Sequence, residues 1–265
     1  MKLFTMVMIQ KRHALRMILA CAAVLGFSVP AVPVARAADI SVAVAANFTA
    51  PAKELATVFH AQTGDTLALS FGSSGQIYIQ IAQGAPFEIF LSADAARPKK
   101  ATAAGLAVAG TEFTYAIGKL VLWSADPKLV DPKGEVLVTG GFTHLANADP
   151  AAAPYGAAGE QVMKALGVYG KIEPKIVTGQ SIMQTYQFVA SGNAELGFVA
   201  MSQVMKGIKG SKWIVPQNLY TPIVQDAVLL KPGADDAGAK AFLAFLKTPA
   251  AAKIIQSYGY AMPGN

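Results

Sequence analysis

The stretch TLALSFGSSGQIYIQIAQG, residues 66–84, decides how this chain folds. Residues 66–71 form a strand-like run, and Ile77 and Ile81 line one face of a helix that stops at Gly84. Between them lie Gly72, Ser73, Ser74 and Gly75, where two glycines bracket two hydroxyls just ahead of a helix that opens near Gln76. The same strand-then-helix design recurs along the chain. A strand at 40–45 runs through Asn47, Thr49 and Pro51 into a helix with Leu55, Val58 and Phe59 on its apolar face, ended by Gly64. Ala153, Pro154, Tyr155 and Gly156 precede a helix carrying Val162, Ala165 and Leu166. Gln180, Ser181 and Ile182 open another, through Tyr186 and Val189 to Gly192. Further strand-like runs fall at 88–92, 119–123, 175–177, 196–200 and 227–230. Strands alternating with helices predict an α/β fold of right-handed βαβ units around mostly parallel sheets.

Two long β-prone runs, 113–123 and 221–230, are suited to carrying the chain from one lobe to another, and two such crossings make a hinge. The expected division is a leader at 1–37, a first lobe from 38–118 and 227–265, and a second lobe from 119–226. The leader has a basic start (Lys11, Arg12, His13, Arg16), an apolar run from Met17 to about Val29, and a small-residue stop at Ala35, Arg36, Ala37. That is the anatomy of a cleaved secretory signal, and it predicts that the mature protein is exported from the cytoplasm. Pro30, Pro33 and Arg36 interrupt any run of the about 20 apolar residues a membrane anchor needs.

Cleavage changes the charge argument. Of 22 Lys and Arg, five (Lys2, Lys11, Arg12, Arg16, Arg36) leave with the leader, and 17 bases against 16 acids leave a net charge of +1. The basic balance of the whole chain therefore does not point to nucleic acid, and no Lys/Arg stripe interleaved with aromatics is present. Cys21 departs as well, so the mature chain offers no thiol and no disulfide, and only His60 and His144 remain for metal or triad chemistry. We expect no cofactor.

The helix starts carry the functional reading. The first turn of a helix has unpaired N–H groups and partial positive charge, so converging N-termini hold a desolvated anion without a formal countercharge. Arg97, beside Lys99 and Lys100 on what reads as a solvated helix face, is the one arginine after the leader, so a guanidinium clamp has almost no candidate. Each start also has a plainer reading. Asn47 or Thr49 could simply cap a helix, and the Gly/Ser loop could be a turn. A serine hydrolase is disfavoured: counting from Gly72 through Ser74 puts Gln76 where the last glycine of GxSxG should stand. Each lobe offers two helix starts, which suits a ligand held in the cleft between them.

Read together, AANFTAPAKELA, FGSSGQIYIQIAQGAPFEIFLSAD, FTYAIGKLVLWS, APYG and SGNAELGFVAMSQV resemble the periplasmic molybdate-binding proteins of ABC importers, over essentially all of the mature chain. The resemblance implies a type II periplasmic binding protein fold: two α/β lobes joined by two crossover strands, with a ligand cleft between them. It implies a monomeric, non-enzymatic receptor that captures molybdate, and tungstate with it, by hydroxyls and backbone amides. Its partners would be a membrane permease and an ATPase. The implied ligand positions are Ala46, Asn47, Ser74, Tyr155 and Ile182. Some members place a tyrosine hydroxyl where this chain has Ala200, and a small residue where it has Tyr155, so Ala200 is left out of the site. The competing reading on the same fold is a receptor for another tetrahedral oxyanion such as sulfate.

Overall fold

The computed structural model describes residues 39–264; the expected leader, with Cys21, lies outside them. Ten strands form two five-stranded sheets among the described residues. The first sheet runs β2 (Thr66–Gly72), β1 (Asp39–Ala45), β3 (Ile89–Leu91), β10 (Ile223–Leu229), β4 (Phe113–Gly118). The second runs β7 (Ile176–Gly179), β6 (Leu145–Ala148), β8 (Leu196–Ala200), β5 (Leu120–Ser124), β9 (Ser211–Ile214).

Helices α1 (Thr49–Thr63), α2 (Ser74–Ala82), α3 (Ala96–Ala103), α8 (Ala237–Leu246) and α9 (Pro249–Ser257) flank the first sheet, while α4 (Val136–Thr139), α5 (Pro154–Ala165), α6 (Tyr169–Ile172) and α7 (Ile182–Ala190) belong to the second. The two-lobed α/β architecture read from the sequence is the one observed. Among the described residues no helix is long and apolar enough to cross a membrane.

The sheets are not mostly parallel, as expected from the βαβ pattern, but evenly mixed. β1 pairs in parallel with β2 and β3, and β6 with β7 and β8. β10 is antiparallel to β3 and β4, and β5 is antiparallel to β8 and β9. The physical reason is the hinge. β5 and β10 are the first strands after each crossing, so they enter their sheets from the other lobe without a crossover helix and run against the βαβ strands. The long run 113–123 is therefore two strands in two sheets, divided at Gly118 and Lys119. The return strand begins at Ile223, ahead of the 226 boundary drawn from sequence, because residues 223–229 pair entirely within the first sheet.

The first lobe's core gathers Phe48, Phe59, Tyr115, Phe242, Phe245 and Tyr260, with edge-on aromatic pairs such as Phe48–Tyr115 at 4.8 Å. The second lobe's core contains Val162, Phe198 and Trp213, and it reaches across the cleft to Ala45, Ala46 and Ala93 of the first lobe. The cleft walls are thus partly apolar.

Candidate functional site

Four helix starts converge on one small cavity of about 10 Å³ lined by Ala45, Ala46, Asn47, Gly72, Ser73, Ser74, Ala93, Ala153, Pro154, Tyr155 and Ile182. All five residues singled out from the sequence, Ala46, Asn47, Ser74, Tyr155 and Ile182, are among them and are buried. That volume lies far below the roughly 300–1,000 Å³ typical of organic-ligand pockets, so the site suits a solute of only a few atoms. None of the lining residues carries a charge.

Each start is built differently. β1 ends in a single 3-10 turn, Ala46–Phe48, before α1, and no side chain caps either helix. Asn47 and Thr49 therefore do not serve as caps: Thr49 Oγ1 donates back to the Ala46 carbonyl at 2.8 Å. The Asn47 side-chain amide is spent too, donating to Gln225 Oε1 and to the Tyr260 hydroxyl at 2.9 Å each. What this turn presents to the cavity is the backbone N–H of its first residues, the groups a helix start leaves without intrahelical partners.

At α2 the two serines separate by role. Ser73 is the N-cap, accepting the Gln76 N–H at 3.4 Å. Ser74 is the first helical residue, and its Oγ accepts the Ala93 N–H at 2.9 Å. With its acceptor side occupied from the protein, the hydroxyl proton of Ser74 is left to donate into the cavity. At α7, Ser181 caps by accepting the Gln184 N–H at 3.3 Å, and Ile182 follows as the first helical residue with its side chain in the core. The Gln203 amide fixes this end, donating to the Ile182 carbonyl at 3.1 Å and accepting the Ala200 N–H at 2.9 Å.

At the entrance of α5 the Tyr155 phenol turns inward and not out to solvent: the residue is 1% exposed, and its hydroxyl accepts Gln225 Nε2 at 3.1 Å. Gly118 makes this possible, since a Cβ there would lie 2.1 Å from the Tyr155 hydroxyl oxygen and 2.7 Å from Gln225 Nε2. Pro154 opens α5 with no N–H to leave unpaired, so the first amide there belongs to Tyr155.

Beneath the helix starts lies a buried polar layer that residue patterns did not reveal. Gln225 is fully buried and joins Asn47, Tyr115 and Tyr155, with Tyr115 donating to its Oε1 at 3.1 Å. Tyr260 and Ser202 both donate to the Asn47 carbonyl at 2.8 Å. These partners are 70 to 213 residues apart in the chain, beyond any local spacing rule. Burial pushes the Tyr260 hydroxyl up to about 12, and Tyr115 and Tyr155 well above the ordinary phenol value. All three stay protonated at neutral pH, so the layer adds no negative charge below the cavity.

The histidines stand apart from this site. His60 Nδ1 lies 3.0 Å from the Asp65 carbonyl, and His144 Nδ1 lies 3.8 Å from Glu195 on the surface.

The bacterial extracellular solute-binding protein family matches residues 40–261. The chain is 61% identical over 241 residues to the molybdate-binding protein ModA of Rhodobacter capsulatus, covering 91% of this chain and 94% of that one. It is 53% identical over 231 residues to ModA of Azotobacter vinelandii, covering 86% and 92%. The solved structure of the Azotobacter vinelandii periplasmic molybdate-binding protein superposes with a TM-score of 0.83 at 46% identity, over 85% of this chain and 100% of that chain.

Proposed function

The chain belongs to the bacterial extracellular solute-binding proteins, alongside molybdate-binding relatives, and on that footing we propose that it captures molybdate in the periplasm and delivers it to an ABC importer. The observation that carries the reading is the convergence of four helix starts on a small, uncharged, buried cavity. A dianion there gains from several oriented N–H dipoles and the Ser74 hydroxyl at once, in a medium where these are worth more than in water. We assign ligand contact to the main chain at Ala46 and Asn47, to Ser74, and to the first amides of α5 and α7 at Tyr155 and Ile182. The protein acts as a binding protein and not as an enzyme, works as a monomer, and hands its cargo to a permease and its ATPase.

Tungstate shares the tetrahedral geometry and charge of molybdate, and we include it among the ligands. Sulfate is the competing ligand, and in this reading discrimination against it comes from its smaller size. A smaller tetrahedron cannot touch every wall, and each donor left unpaired in a dry cleft costs about 1 to 3 kcal/mol.

Calorimetric titration of the purified protein with molybdate, tungstate and sulfate tests the proposal. One-to-one binding of the first two, with sulfate at least about 100-fold weaker, is the expected result, equivalent to two unmade hydrogen bonds. Equal or tighter sulfate binding overturns the substrate assignment while leaving the anion cradle in place.

A further inference from the structure

Arg97, which takes no part in the cavity wall, is not the solvated residue its sequence surroundings suggest. Its Nη1 pairs with the Asp94 carboxylate, its backbone N–H donates to Asp94 Oδ1 at 2.8 Å, and its Nη2 reaches across the cleft to donate to the Ala151 carbonyl at 2.8 Å. Beside it, the Gly75 N–H donates to the Ala152 carbonyl at 2.9 Å, again from the first lobe to the second. These two carbonyls lie on one turn, residues 149–153, immediately ahead of α5 and Tyr155. The turn is braced from within: the Ala151 N–H donates to Asp149 Oδ1 at 2.9 Å, and the Ala153 N–H to the Asp149 carbonyl at 2.8 Å. It is tied to the end of β7 as well, through the Asp149 N–H and the Gly179 carbonyl at 2.8 Å. It therefore presents a rigid pair of acceptors.

On the first lobe the same short loop serves both purposes. Ala93 holds the Ser74 hydroxyl, and the next residue, Asp94, holds Arg97. The fit at Gly75 is close: a Cβ there would lie 2.9 Å from Ala152 Cα and 3.0 Å from both the Ala152 carbonyl oxygen and Arg97 Nη2.

We propose that Arg97 and the Gly75 N–H form a latch across the mouth of the cleft that sets how long the bound oxyanion is retained. Arg97 is a positioning residue: it holds the turn that places the start of α5 and does not touch the anion. The inference rests on the oxyanion-binding reading above. The latch forms after the ligand has entered, so it governs release more than capture.

The test is stopped-flow measurement of molybdate association and release, with the apo melting temperature recorded for each variant. Arg97→Ala should release molybdate about tenfold faster with an association rate near that of the wild type, the scale of one hydrogen bond from a charged donor. Arg97→Lys should fall between, because a single ammonium cannot serve Asp94 and Ala151 as the planar fork does. Gly75→Ala, which blocks the turn by bulk, should also speed release. Release at the wild-type rate in both Arg97→Ala and Gly75→Ala overturns the latch alone, as does faster release that appears only with a matching loss of apo stability. Failure of the wild type to bind molybdate, tungstate or sulfate overturns the oxyanion reading and the latch with it.

Discussion

Ser73 and Ser74 are neighbours in sequence, and their hydrogen bonds assign them separate consequences. Ser73 caps α2 through the Gln76 N–H, so Ser73→Ala should lower stability by about 1 kcal/mol and leave molybdate affinity close to that of the wild type. Ser74 accepts the Ala93 N–H and keeps its proton for the cavity, so Ser74→Ala should weaken molybdate binding by roughly 10- to 100-fold, the range for a hydrogen bond to a charged partner. Denaturant unfolding and calorimetric titration of both variants check the pair; an exchange of the two phenotypes would assign the hydroxyls the wrong way round. The Gly/Ser pattern marks the loop as a helix start but cannot say which serine is cap and which is first helical residue, since that turns on one residue of register. Tyr155 shows the opposite limit. Its place at the start of α5 was readable from Pro154 and Gly156, whereas the direction of its phenol depends on Gln225 and Gly118, 70 and 37 positions away.

At the scale of elements, the strands that lead into α1, α2 and α7 were legible because each carries a run of apolar residues followed by glycine, asparagine or serine. β6 and β9 were not. LANA, the β6 sequence, has no β-branched or aromatic residue, and it becomes a strand because it sits between β7 and β8 with every residue buried. Within the run 113–123, β4 and β5 fall in different sheets on either side of Gly118 and Lys119. Gly118 is the element-level cause, ending β4 where the Tyr155 phenol and the Gln225 amide need the space of a side chain. Gly118→Ala should therefore cost about 1 to 3 kcal/mol through overpacking, and it should weaken molybdate binding as well, because Tyr155 moves with the start of α5. Thermal unfolding and titration together check this. Lost stability with unchanged affinity would make the Gly118 contact a packing feature with no bearing on the cleft.

For the molecule as a whole, the buried phenols tie the two lobes and the C-terminal segment into one polar layer, and that layer predicts how stability and binding respond to pH. No lining residue of the cavity carries a charge, and the three phenols beneath it are protonated well past neutrality. Molybdate affinity should then change by less than about twofold between roughly pH 6 and pH 9, where a histidine-based anion site would lose binding as its imidazole deprotonates. Stability behaves differently at the alkaline end. The folded Tyr260 hydroxyl titrates at about 12 against 10 for an unperturbed phenol, so over that interval the native state keeps a proton that the unfolded chain releases. The free energy of unfolding must fall as pH rises through this window, by roughly 2 to 3 kcal/mol for Tyr260 alone. Tyr115 and Tyr155, shifted in the same direction by burial, steepen the loss. Below the ordinary phenol value the contribution is fully present. Denaturant midpoints measured at about pH 8, 10, 11 and 12 should trace this fall, and Tyr260→Phe should flatten it while lowering the midpoint at pH 8, because the hydrogen bonds to Asn47 are lost. A variant that keeps the wild-type alkaline slope would show that Tyr260 is not the group whose ionisation opens the layer.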